Sequence, residues 1–126
     1  MHISWTDELK VGVGFIDADH EEAVRLMAVM AEAEGPALTA LFGEFVHHCQ
    51  EHFARENDLM SRIGFFAIDC HMDEHERVLA ELADMAGRDE AALKTYVRSD
   101  LPEWFLGHRN SMDFVTAQFA RQMGER

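Results

Sequence analysis

HHCQEHFARENDLM, residues 47–60, holds an imidazole and a carboxylate four positions apart, His52 and Glu56, in a run whose apolar residues recur at helical spacing. Residues four apart on an α-helix share a face about one turn apart, so this pair aims a nitrogen and an oxygen ligand at one point. Leu38, Leu41, Phe42, Phe45, Cys49, Phe53, Leu59, Met60 and Ile63 extend the same arc. The spacing predicts a helix from Pro36 to Ile63 with polar ligands where core belongs. CHMDEH, residues 70–75, contains a second pair, His71 and His75.

Two further helices complete the pattern. In the first, Asp17 or Asp19 is the expected cap and Glu21 and Glu22 occupy the first turn, where negative charge suits the helix dipole. Its inner stripe runs His20, Ala23, Leu26 or Met27, and Met30, and ends at Gly35-Pro36. Gly64 closes the second helix. The third takes Asp69 as cap and carries His71, His75, Val78, Leu79, Leu82 and Met85 up to Gly87. The last starts near Asp89 with a stripe of Leu93, Val97, Leu101, Trp104, Phe105, His108, Met112, Val115 and Phe119, and Pro102 is expected to kink or split it. Residues 1–16 hold Ile3, Trp5, Leu9, Val11, Val13, Phe15 and Ile16 without a sustained period, which reads as an extended N-terminal arm lying on the core.

The expected fold is all-α, an antiparallel up-and-down four-helix bundle over residues 17–123, with residues 1–126 forming a single domain. Bundle cores are established places for metal sites built from facing helices. His20 and His71 lie near helix starts, whereas His52 and His108 lie in the later halves of theirs. In up-down-up-down order those four positions meet at one end.

Composition narrows the partners. Asp and Glu number 24 against 11 Lys and Arg, a net charge of −13, which argues against nucleic acid or an anionic membrane as partner. Cys49 and Cys70 are too few for a disulfide scaffold and read as buried or half-buried fillers in a reducing compartment. No apolar run approaches the ~20 residues of a spanning helix, and no leader pattern opens the chain. The expected location is cytoplasmic.

His20, His52, Glu56, His71, His75, His108 and Asp113 make five imidazoles and two carboxylates without thiolate. That donor set suits iron or manganese better than a structural zinc, and seven ligands exceed what one ion takes. Two ions spanned by the carboxylates fit the count. Two divalent ions would also offset the cost of burying Glu56 and Asp113. One spacing resists: His108 and Asp113 are five apart, about 140° around an ideal helix. Met112 would continue the strict stripe, leaving Asp113 to reach in from its edge.

Ile3-Ser4-Trp5, Val11-Gly12-Val13, Ile16-Asp17 with His20, His52-Phe53 with Glu56 and Met60, His71 with His75, and Trp104 with His108 and Asp113 together resemble the hemerythrin family, specifically its single-domain bacterial members. The likeness covers nearly the whole chain. It implies two iron ions, one held by His71, His75 and His108, the other by His20 and His52 with a position open to dioxygen. Glu56, Asp113 and an oxo or hydroxo group would bridge them. A dry pocket must then admit a diatomic and exclude water and reductants, with Phe53, Trp104 and Phe105 as candidate walls. Phe105 stands where the family often has leucine, Arg109 where an apolar residue is usual, and Phe65-Phe66 where tyrosine-proline is frequent. Phe105 is expected to narrow the pocket, Phe65-Phe66 to alter packing, and Arg109 to face either the site or solvent.

Three histidines remain. His48, four before His52, is expected just outside the cluster, with a hydrogen bond to a ligand as the alternative. His47 is placed at the surface and His2 free at the terminus. Glu44-x-x-His47 superficially matches the ferritin-like Glu-x-x-His unit, but the second unit that site requires is absent from the sequence. The expected function is reversible dioxygen binding without net chemistry, hence not an enzyme. The alternative is a diiron oxidase or peroxidase, or a sensor of oxygen, nitric oxide or iron. A chain ending soon after the fourth helix favours the carrier, with an unidentified protein partner left open.

Overall fold

The computed structural model describes residues 3–126, so His2 lies outside the described residues. Those residues are all-helical, with no strand among them. α1 spans Gly14–Glu32, α2 Gly35–Arg62 and α3 Ile68–Ala86. The last stretch comprises α4 (Glu90–Thr95), α5 (Leu101–His108) and α6 (Phe114–Gln122), joined by π-helical turns at Tyr96–Asp100 and Arg109–Asp113. α1 packs on α2, α2 on α3, α3 on α4, and α6 returns to α2, forming a helical bundle.

Helix starts differ from the sequence expectation in an instructive way. α1 begins at Gly14, so Phe15 and Ile16 are helical and not the end of an arm. Asp17 sits inside the first turn and is not its cap. Its carboxylate reaches back to accept from the backbone N–H of Val11 at 2.7 Å and Gly12 at 3.2 Å, two donors outside the helix. Asp69 is likewise a first-turn residue, one after the start of α3 at Ile68, where its charge suits the dipole. Asp89 does cap α4, accepting from Ala92 N–H at 2.9 Å. At the end of α2, Gly64 takes φ +65°, a left-handed conformation that costs glycine little. Phe65 N–H can then return to the Met60 carbonyl at 3.0 Å.

Pro102 closely follows the π-helical turn that separates α4 from α5, where the last rod is split as expected but does not end. It lies in the first turn of α5, and Asp100 and Leu101 before it keep helical backbone angles. The preceding π-helical turn occupies the place where proline removes an intrahelical donor.

Before α1, residues 3–13 contain one 3₁₀ turn, Asp7–Leu9, and bury Ile3, Val11 and Val13. Arg109 fastens this segment: Nε donates to the Leu9 carbonyl at 2.9 Å, and Nη2 to those of Glu8 at 3.0 Å and Lys10 at 2.8 Å. Arg109→Ala should therefore cost about 1–2 kcal/mol of unfolding free energy and make the bonds around Glu8–Lys10 protease-sensitive. An unchanged denaturation midpoint with unchanged cleavage would reject this role.

Two apolar clusters flank a polar layer. The larger holds Met27, Met30, Phe42, Phe45, Phe53, Val78, Leu82, Val97 and Phe105, and the smaller Val11, Val13, Ile16, Leu59, Ala117 and Ala120. Along α1 the order is Ile16, His20, Ala23; along α2 it is Phe53, Glu56, Leu59. Each helix thus passes from one cluster to the other through its ligand-type residues. Cys49 is buried, but Cys70 is exposed, contrary to its reading as a filler. It directly precedes the inward His71, and successive helical residues point about 100° apart.

Candidate metal centre

All seven ligand-type residues meet in that layer, each no more than 7 % exposed, with Glu56 at 0 %. The Nε2 atoms of five histidines face two carboxylates. Glu56 Oε1 lies 2.9 Å from His71 Nε2 and 3.0 Å from His75 Nε2, while Oε2 lies 3.5 Å from His52 Nε2. Asp113 Oδ1 is 3.2 Å from His71 and 3.1 Å from His108, and Oδ2 is 3.0 Å from His20. Each carboxylate therefore gives one oxygen to the three-histidine side and the other to the two-histidine side. Two groups of donors able to surround an ion result, Glu56, His71, His75, His108 and Asp113 on one side, and His20, His52 and Glu56 on the other.

Protein groups alone leave this layer unsatisfied. His20 Nδ1, both Glu56 oxygens, His75 Nε2 and Asp113 Oδ1 are buried without an adequate hydrogen-bond partner. His71 Nε2 also lies 3.1 Å from His108 Nε2, and one ring nitrogen carries at most one proton. Unpaired buried polar atoms are costly. Cations between the Nε2 atoms and the carboxylates would satisfy all of these except the outward His20 Nδ1, so the donor set fits two metal ions.

Asp113 is buried because of the π-helical turn at Arg109–Asp113. An i→i+5 turn accommodates one extra residue, so a side chain five positions on returns to the face of His108. The expected stripe of Met112, Val115 and Phe119 is displaced with it: Val115 is 40 % exposed, while Asp113, Thr116, Ala117 and Ala120 face inward. Deleting the exposed Asn110 should convert the turn to α-helix and leave His108 and Asp113 on one face at four apart. Such a variant is expected to keep its metal content, whereas deleting Glu103, upstream of His108, should lose it. Metal loss in the Asn110 deletion would reject this account of the register.

Outward-facing nitrogens are also held. His71 Nδ1–H donates to Thr116 Oγ1 at 2.7 Å, His75 Nδ1–H to Asn57 Oδ1 at 2.8 Å, and His52 Nδ1–H to Asp19 Oδ2 at 2.8 Å. Such bonds fix the tautomer that leaves Nε2 free for a metal. Asn57 and Thr116 were not singled out from sequence, and Asp19 only as one of two candidate caps. Thr116 carried a usable signal, a polar residue eight after His108; Asn57, adjacent to Glu56, carried none. His48 lies outside the cluster as expected, and its Nε2–H donates to the Asp19 backbone carbonyl at 2.9 Å. His47 is exposed beside Glu51.

A cavity of about 20 Å³ adjoins the two-histidine side, room for about one water-sized molecule. Phe53, Trp104 and Phe105 all stand on its wall, with Ala23 and Phe45. Phe105 meets His20 edge to face at 5.2 Å, and Phe53 stacks on His75 at 4.1 Å. Trp104 stacks on His108 at 4.7 Å and donates Nε1–H to Glu74 Oε2 at 2.7 Å.

Charge in the layer is set by the facing histidines and carboxylates. Burial opposes charge on His52, but its hydrogen bond to Asp19 and the Glu56 carboxylate facing its Nε2 outweigh it and hold its pKa up to about 10. His71 is held up to about 9, its burial outweighed by Asp113 and Glu56. Burial pushes His75 down. Glu56 and Asp113 lie well below the usual carboxylate range despite burial, because histidines face their oxygens. In metal-free protein, the contribution of His52 to stability is complete below about pH 6.5 and lost as pH rises toward 10, the sign for a raised pKa. A metal must displace those protons. Loading at pH 7 should release about two protons per chain, read by calorimetry in buffers of different ionisation enthalpy. Release near zero would contradict it.

The hemerythrin HHE cation binding domain matches residues 11–120. A bacteriohemerythrin of Ralstonia nicotianae is 32% identical over 125 residues, covering 97% of this chain and 91% of its own. A bacteriohemerythrin of Stenotrophomonas maltophilia is 26% identical, covering 94% and 86%, and a myohemerythrin of Riftia pachyptila 23% identical, covering 87% of each. No solved structure matches the chain significantly. With a buried layer of histidines and carboxylates at its centre and a family match over most of its length, the chain belongs to the hemerythrin family.

Proposed function

We propose that this protein binds dioxygen reversibly at a non-haem diiron centre, as a carrier, store or delivery protein. The observation that carries the reading is the split of each carboxylate between a three-histidine and a two-histidine side, with the cavity on the latter. His71, His75 and His108 would hold one iron and His20 and His52 the other, with Glu56 and Asp113 each offering one oxygen to either side. When bound, the two irons supply the electrons and the open coordination position that dioxygen needs. Around them, the protein's task is exclusion and orientation. Phe53, Trp104 and Phe105 present aromatic carbon to the cavity and keep bulk water and anions out. Asp19, Asn57 and Thr116 hold three of the ligand rings.

The fold in this reading is an antiparallel up-and-down four-helix bundle with the N-terminal segment lying along it, so ligands from two helix starts and two later halves reach one level. The protein is a binding protein and not an enzyme, located in the cytoplasm, with dioxygen its partner and neither nucleic acid nor membrane required. No helix of the described residues is long and apolar enough to cross a membrane.

The test is anaerobic loading with ferrous iron, a metal count, and visible spectra through repeated cycles of oxygen addition and removal. Two irons per chain and a band that appears and disappears with oxygen are expected. Decay in one pass to a stable diferric spectrum would replace the carrier by a redox enzyme or sensor.

A further inference from the structure

Residue 19 is touched by three side chains of α2 that lie on one helical face, His48, His52 and Arg55. Its backbone carbonyl accepts from His48 Nε2–H at 2.9 Å. Its Oδ2 accepts from His52 Nδ1–H at 2.8 Å, from Arg55 Nε–H at 3.1 Å and from Arg55 Nη2–H at 2.8 Å. Residue 19 also directly precedes His20. One residue therefore controls both histidines of the two-histidine side, His20 through the chain and His52 through a hydrogen bond. On the three-histidine side the outward nitrogens of His71 and His75 meet neutral oxygens, the Thr116 hydroxyl and the Asn57 amide. Of the outward Nδ1 bonds of His52, His71 and His75, that of His52 alone goes to a carboxylate.

We propose that Asp19 is a positioning residue whose negative charge sets the metal affinity of the His20/His52 side, making the two ion positions unequal. A carboxylate behind an imidazole fixes the ring with Nε2 inward and increases its basicity as a ligand. The Asp19 side chain is 15% exposed, so solvent damps its charge only in part. Arg55 and His48 hold it in place from two neighbouring turns. The inference rests on the diiron reading above and deepens it by assigning the source of asymmetry.

The test is anaerobic titration of metal-free protein with Co²⁺, following ligand-field absorption and stoichiometry. Wild type should take two equivalents. Asp19→Asn keeps a hydrogen-bond acceptor of the same shape and loses only the charge. It should bind one equivalent with wild-type affinity and the other about 10–100-fold more weakly. Asp19→Glu, which retains the charge, should bind the weakened equivalent more tightly than Asp19→Asn. In a His20→Ala background, which lacks the affected position, Asp19→Asn should change nothing.

Unchanged binding of both equivalents by Asp19→Asn would overturn the proposal. So would equal weakening of both, weaker binding in Asp19→Glu than in Asp19→Asn, or a further loss in the His20→Ala background. Wild type taking fewer than two equivalents would overturn the diiron reading itself. Because no oxygen enters the titration, loss of reversible oxygen binding alone would leave this result standing.

Discussion

Glu56→Gln is expected to lower the iron content from two ions per chain to one or none and to abolish the reversible oxygen band. Glu56 is fully buried, and its two oxygens face different histidine sets, Oε1 toward His71 and His75 and Oε2 toward His52. A glutamine of the same shape offers one weakly coordinating oxygen, and its amide nitrogen cannot serve the other side. It also removes one of two negative charges facing two dications, in a layer where little solvent screens them. Loss of an outer hydrogen-bonding partner typically costs ~10–100-fold in metal affinity, so loss of a spanning ligand should cost at least ~100-fold for one ion. Iron analysis after desalting, with circular dichroism to establish retained helix, measures it. A folded Glu56→Gln variant that retains two irons would remove Glu56 from the bridging role.

His20→Ala should have the second largest effect, loss of oxygen binding with one iron retained. His20 contributes Nε2 opposite Asp113 Oδ2 at 3.0 Å and packs against Phe105 on the cavity wall. Its removal leaves His52 as the lone histidine on that side, too few protein ligands for a tight ion. His71, His75 and His108 are untouched. The fold should survive, since His20 lies between two apolar clusters whose members stay in place. One iron per chain and no oxygen-dependent band is the expected pair of readings. Two irons with a persistent reversible band would place the oxygen site elsewhere.

Much of this site was legible from local spacing. His52 with Glu56 and His71 with His75 needed only the i, i+4 rule, and their burial followed from sharing an arc with Phe53, Leu59 and Val78. Phe53, Trp104 and Phe105 were found on the same arcs and stand on one cavity. Their role there depends on the oxygen-binding reading, which the spectra decide. What spacing missed was non-local. Asp17 or Asp19 was expected as a cap because local rules give an acid near a helix start that role; Asp19 instead reaches across to α2 for His52 and Arg55. Arg109 could not be assigned a direction, because its acceptors are carbonyls about a hundred positions earlier.

The sequence by itself determined the helical class and picked out six of the seven residues that meet in the buried layer, because these follow from residue type and a period of 3.6. The tertiary structure decided the register of the last rod and the orientation of the ligand rings. A single π-helical turn moves Asp113 inward and Val115 outward, and no one-dimensional period encodes where the extra residue is absorbed. In that turn the Asp113 carboxylate lies within 3.2 Å of three histidines, His20, His71 and His108. The Nδ1 contacts of His52, His71 and His75 likewise exist only once separate helices are side by side.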